Sequence, residues 1–256
     1  VLGLVKEIDC RNGTSCPDQL ASAIKAVTDG QLSPAASFLL VEDPIPKARI
    51  GLIGELAGNP RILKNMASAI SEAGVAAVVC LGNLTGESTQ NRQALKSIRK
   101  LKFLAIQGQN DWHYANGTET PPFPPLDQQE RDWLIQLPQV LSFLVGGKKC
   151  MAFFGDFIQK LAEYSDYEPY ALEMNMVCGL TDFMRDKTVF PALEVMTSQF
   201  HADVVLFSQT RKWGHWHVGG KDFISVGRAA GPASPSWGLL ESVSGKIEFS
   251  RMRLGR

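Results

Sequence analysis

The chain has 256 residues, 45% of them hydrophobic and 20% charged, enough for a large buried core, most simply in one α/β domain. Lys and Arg total 26, as do Asp and Glu, so the formal net charge is zero and no electrostatic case exists for nucleic acid or an acidic membrane surface. No apolar run approaches the ~20 residues that span a bilayer, so the expectation is a soluble protein of the cytoplasm or an organelle interior. The first residue is Val rather than Met, and a targeting peptide could have been removed ahead of it.

Residues 1–48 read as an N-terminal extension: a short helix over Pro17–Thr28 stopped at Gly30, a strand-like run over Ser37–Glu42, and an extended DPIPK segment. They fit an appended arm, an extra strand or the remnant of a preceding domain. Cys10 and Cys16 bracket RNGTS, either as free thiols or as a small closed loop. Cys80 and Cys150 sit in apolar strand runs and read as buried thiols. From Ala48, ARIGLIGELAGN is an apolar run ending in a Gly-containing turn, the pattern of a buried strand that delivers polar groups at its tip. Asn59 then reads as an N-cap and Pro60 as the first helical residue. The helix is expected to run to about Ala73 with Ile62, Met66, Ala69 and Ile70 as its buried stripe. Gly74 stops it, and Val75–Leu81 returns as the next strand of a right-handed crossover in a parallel sheet.

A third strand is expected over Phe103–Ile106, followed by GQND and a loop, WHYANGTETPPFPP, whose prolines favour an exposed, extended segment. Leu126–Leu137 has the pattern of an amphipathic helix with Trp133 and Leu134 inward, stopped by Pro138, and Phe143–Phe154 reads as a hairpin around GGKK. Glu163–Tyr170 reads as an acidic, aromatic surface loop, with helical patterns after it at Tyr170–Met184 and Val189–Phe200. Ala202–Phe207 is a further buried strand, and Gly214–Arg253 alternates like closing antiparallel strands.

The turns GELAGN, GNLTG and IQGQND resemble, in order and at strand ends, the D-x-H-G-N, G-D-x-x-G and G-N-H-D motifs of the calcineurin-like metallophosphoesterase family. The resemblance runs from about Arg49 to Gly245 and implies an α/β/β/α sandwich of two mixed sheets flanked by helices, occupying residues 49–256. In that family two divalent ions at the strand tips generate hydroxide and clamp a phosphate. Matched by position, the first Asp becomes Glu55 and its companion His becomes Ala57, while the bridging Asp becomes Asn83. In the third motif Gln109 and Asn110 replace the Asn and His, and Asp111 is kept, a residue that is not a metal ligand in the family. Phe154 stands where a His would precede Gly155. Ser208-Gln209-Thr210-Arg211 replaces G-H-T-H, and ISVGRA keeps only Gly227 of the closing motif. Glu55 alone remains as an anionic ligand candidate. The resemblance therefore implies a vestigial site with no catalytic residue, no metal and no cofactor. GHWH at Gly214–His217 spells a G-H-x-H, but the strand ADVVLF delivers Ser208, not Gly214, at its tip. His215 and His217 are expected to share one face of a hairpin. His113 reads as a loop residue and His201 as a helix-end residue.

Three functions follow from this pattern. The first is a catalytically inactive binding, scaffold or assembly factor with a protein partner. The small retromer subunit of the superfamily, which also has G-N-L in its second motif, is the analogy. Candidate partner surfaces are the N-terminal arm, the PPFPP loop and Tyr164–Tyr170. The second is a divergent phosphomonoesterase or phosphodiesterase using one metal at Glu55, Asn83 and Gln109. The third is a metal-free binder of a small anion or nucleotide at the old cleft, using Arg211 and the helix start at Pro60. Arg211 is also expected to face Glu55 and to stand in for a metal ion.

Overall fold

Strand β1 (Leu40–Lys47) and strand β2 (Arg49–Ile53) are separated only by Ala48, yet belong to different sheets. The computed structural model describes residues 40–117, 125–155, 202–209, 212–229 and 235–254, all within the unit Phe38–Arg256. The expected helix at 17–28, Cys10 and Cys16, residues 121–124 of the PPFPP loop, the segment 163–170, the helices at 170–200, His201 and Arg211 lie outside the described residues.

One sheet grows from β2 by two crossovers. Helix α1 (Pro60–Glu72) leads to β3 (Ala77–Leu81), and helix α2 (Asn91–Leu101) leads to β4 (Leu104–Ile106), both strands parallel to β2. The terminal hairpin β10 (Ser236–Val243) and β11 (Lys246–Arg253) adds antiparallel on the other side of β2, giving the order β11-β10-β2-β3-β4. The second sheet holds β5 (Val140–Val145), β6 (Lys148–Phe153), β7 (Val204–Phe207), β8 (Gly214–Val218) and β9 (Lys221–Ser225) in the order β1-β5-β6-β7-β9-β8. Gly146 and Gly147, both at positive φ (55 and 81), close the β5–β6 hairpin with the twist that two-residue turns require. β1 is an edge strand, which is where Pro44 and Pro46 can sit without costing the sheet an interior hydrogen bond. The expected closing strands thus divide between the sheets, β8 and β9 in one and β10 and β11 in the other.

Strand alternation sorts the apolar residues into two layers. Ile50, Leu52, Val79, Leu81 and Ile106 face Leu141, Phe143, Ala152, Val204, Leu206 and Ile224 between the sheets. Ile53, Val78, Cys80 and Trp237 face outward, against Leu63, Met66 and Ile70 of α1 and Leu95 and Ile98 of α2. The fully buried Val, Leu, Ile, Phe and Met side chains among them contribute roughly 1.5–3 kcal/mol each. Two mixed sheets flanked by helices are the fold class expected above. Among the described residues no helix is long and apolar enough to cross a membrane.

Local signals explain the helices. Asn59 Oδ1 accepts the Ile62 amide (3.1 Å), and Pro60 occupies the first turn. The buried stripe of α1 is Pro60, Leu63, Met66 and Ile70, so Leu63 takes the place expected for Ile62 and Ala69, which are only partly buried. Asp127 and Glu130 form a reciprocal capping box on α4 (Gln128–Ile135), and Arg92 of α2 reaches Glu130 Oε2 at 3.0 Å. The reading of His113 as a loop residue is corrected: it lies in helix α3 (Gln109–Asn116). Asp111, at the third position of that helix, accepts the Gly108 amide and starts the helix well before the prolines can forbid it.

The histidines of β8 do share one face. His215 Nε2 (2.9 Å) and His217 Nδ1 (3.1 Å) both meet Asp222 Oδ1 on β9. Burial alone would push the Asp222 carboxyl up, but the hydrogen bonds and charge of the two imidazoles outweigh it and hold the group below its ordinary value. An acid lowered in the folded state adds stability above its unfolded pKa, near 4, and loses it as pH falls through the folded value. Asp222→Asn should therefore cost about 1 kcal/mol at neutral pH. Urea titrations of both proteins should show that gap closing below about pH 4.

Candidate functional site

The parallel strands of both sheets end on one edge, where their turns interlock. The β2 turn is tied to the β3 turn by the amides of Leu56 and Ala57, both donating to the Asn83 carbonyl (3.1 and 2.9 Å), and by Gly58 donating to the Leu84 carbonyl (2.8 Å). The β3 turn is tied to the start of α3 by the Asn110 amide donating to Asn83 Oδ1 (2.9 Å). Ala57 and Asn83 hold positive φ (51 and 48), a conformation that Asn tolerates better than Ala.

Asp111 sits under this junction with no solvent exposure. Its Oδ1 accepts the Thr85 amide (2.8 Å) and hydroxyl (2.7 Å), and its Oδ2 accepts the amides of Gly108 (2.9 Å) and Leu84 (3.1 Å). Burial pushes the carboxyl above its ordinary range, opposed by these four hydrogen bonds. Close approach explains the glycines. A Cβ on Gly108 would collide with the Asn83 amide nitrogen and lie 2.6 Å from its Oδ1. One on Gly82 would lie 2.6 Å from Phe154 Cδ2.

Phe154, at the tip of β6, is buried against Gly82 and belongs to the core between the sheets. A Cβ on Gly155 would collide with Gln209 Oε1, which places the turns after β6 and β7 side by side. Gln209 is at positive φ (80). Glu55, Ala57, Asn83, Phe154 and Gln209, on the turns, and Gln109, Asn110 and Asp111, in the first turn of α3, thus stand along one shared edge. Arg211 lies outside the described residues.

A residue that sequence reasoning passed over is Arg228. Its Nε lies 3.8 Å from Glu55 Oε2, with the Glu55 side chain 5% exposed and that of Arg228 38% exposed. The backbone fixes the approach: Ala229 donates to the Glu55 carbonyl (3.1 Å), and a Cβ on Gly54 would collide with the Gly227 carbonyl oxygen. The signal was present in ISVGRA, where a cation follows the one glycine that matches the closing motif.

These donors do not fit a pair of divalent ions. Ala57 has no ligating atom, Phe154 fills its position with hydrocarbon, Asn83 Oδ1 is engaged by Asn110, and Glu55 already faces a guanidinium. Among the described residues no group of three or more His, Cys, Asp or Glu side chains could hold a metal ion.

No family model matches the chain, and no curated protein matches it in sequence. Solved structures do match it in shape. A putative diadenosine tetraphosphatase aligns with TM-score 0.51 at 13% identity, over 84% of this chain and 99% of that one. A hypothetical protein from Pyrococcus horikoshii OT3 aligns with TM-score 0.54 at 14% identity, over 83% and 90%. A metallophosphoesterase from Sphaerobacter thermophilus gives TM-score 0.49 at 17% identity, over 81% and 89%. The chain has the metallophosphoesterase fold. Identities this low speak for the fold alone and leave activity to the residues at the strand tips.

Asp111 should be the most sensitive of those residues to substitution. Asp111→Asn turns an amide NH₂ toward backbone donors that now meet an oxygen, and should cost about 2–4 kcal/mol. Urea denaturation followed by circular dichroism measures it, with Gln109→Ala at the partly exposed start of α3 as a near-neutral control.

Proposed function

We propose that this protein is a catalytically inactive member of the metallophosphoesterase fold that acts as a binding, scaffold or assembly factor. The observation that supports this most directly is the donor set at the strand tips. A metal pair needs several anionic or imidazole ligands to offset dehydration of the ions. Glu55 is the only carboxylate among the matched ligand positions, and Arg228 stands beside it. The one acidic residue that matches the family at its own position, Asp111, is consumed by hydrogen bonds that hold the turns together. What persists is a rigid frame whose edge is built from amides, an aromatic ring and a charge pair.

Two measurements test this. After purification in excess manganese and desalting, elemental analysis should find far less than one equivalent of metal. Aryl phosphomonoesters and phosphodiesters should be hydrolysed no faster than in buffer. Two bound equivalents, or hydrolysis lost on chelation, would sink the proposal in favour of a divergent phosphoesterase. The assembly role predicts a protein partner that co-purifies at fixed stoichiometry from the native source.

A further inference from the structure

Two buried donors at the strand-tip edge have no hydrogen-bond partner: Arg228 Nε and Ser208 Oγ. Such groups cost free energy when left unmade, so each calls for an account. Ser208 follows β7 directly and is fully buried. Arg228 lies three residues beyond β9, the strand that pairs with β7 in register up to Phe207 and Ser225 and continues with the Val226 amide on the Phe207 carbonyl (2.8 Å). The two therefore project from neighbouring strand ends. Gly54, preceding Glu55, packs against the backbone of Val226 and Gly227. The Glu55 contact is too long for a hydrogen bond, so Nε is faced by a carboxylate without being hydrogen-bonded to it.

We infer that Arg228 and Ser208 form a metal-independent site for a small oxyanion, a phosphate or a carboxylate, at this edge. The chemistry follows from the groups. A guanidinium offers parallel N–H donors that match two oxygens of a planar or tetrahedral anion, and a serine hydroxyl donates a third bond. Arg228 is held by its backbone neighbours and keeps 38% of its side chain exposed, so the site is open to solvent on the arginine side. Glu55 opposes the anion, which makes the site weak and selective: it admits a ligand that draws the guanidinium away from the carboxylate. This inference rests on the reading that no metal pair occupies the edge.

Isothermal titration at constant ionic strength, in EDTA, with inorganic phosphate, phenyl phosphate and acetate against a chloride control, tests it on the full chain. Saturable binding of at least one oxyanion is expected. Arg228→Gln should weaken it by about tenfold or more, and Ser208→Ala by a smaller factor. Glu55→Gln should tighten it, the opposite of what a metal ligand would do. Where Arg228→Gln does not fold, Arg228→Lys keeps the charge, removes the fork and should still weaken binding. The ratio of phenyl phosphate to inorganic phosphate affinity separates an ester ligand from the free ion. No saturable binding, equal affinity in wild type and Arg228→Lys, or weaker binding in Glu55→Gln overturns the inference. Binding that appears only with manganese and vanishes in EDTA overturns the inactive-scaffold reading instead.

Discussion

A single buried carboxylate organises the strand-tip edge. Asp111 accepts hydrogen bonds from two residues of the β3 turn and from the residue that begins α3, so strands of one sheet and the helix after them are pinned at one point. Its desolvation costs several kcal/mol, and hydrogen bonds to a charged acceptor return roughly 1.5–3 kcal/mol each. Four such bonds oppose the penalty, although burial still keeps the carboxyl above its ordinary range. Position follows from this. Once Leu84 and Thr85 are fixed, the Asn83 carbonyl is presented to the amides of Leu56 and Ala57, and the first turn is positioned through the second.

That dependence explains why glycines and one aspartate carry the likeness to the phosphoesterases. The turns approach so closely that side chains on Gly108 or Gly82 would strike Asn83 or Phe154. The hydrogen bonds that tie these turns together use the side chains of Asp111, Thr85 and Asn83, and none of them uses the side chain of Ala57, Gln109 or Gln209. Ala57, Gln109 and Gln209 can differ from the family letters while the frame stays intact. The frame therefore tolerates different side chains at these positions without loss of architecture.

The same distinction decides what could be read from the sequence. Apolar runs ending in glycine turns, the Asn59–Pro60 helix start and the Gly146–Gly147 hairpin were legible because each depends on a few adjacent residues. Helix α2 was not anticipated, since its N-cap Gln90 makes no side-chain cap bond and its C-cap is Lys102 in a left-handed conformation rather than glycine. His113 was misplaced because the helix that holds it is started by a side-chain bond from Asp111, three residues after Gly108. The partition of four C-terminal strands between two sheets depends on contacts far apart in the chain, which alternation alone does not encode.

Arg228 shows how the two levels meet. Sequence matching assigned a cation, Arg211, through the motif that follows β7, and that residue lies outside the described ones; the turn that follows β9 brings in a further cation, Arg228. The cause is backbone packing: Gly54 against Gly227, and the Ala229 amide on the Glu55 carbonyl, set the closing turn beside the first turn whatever side chain follows the glycine. With arginine there, a buried carboxylate gains a counter-charge without any metal. The pair's value lies less in attraction than in avoiding an unpaired buried charge, since each partner's desolvation absorbs much of the Coulomb gain. An edge neutralised in this way balances its buried carboxylate with the protein's own charge.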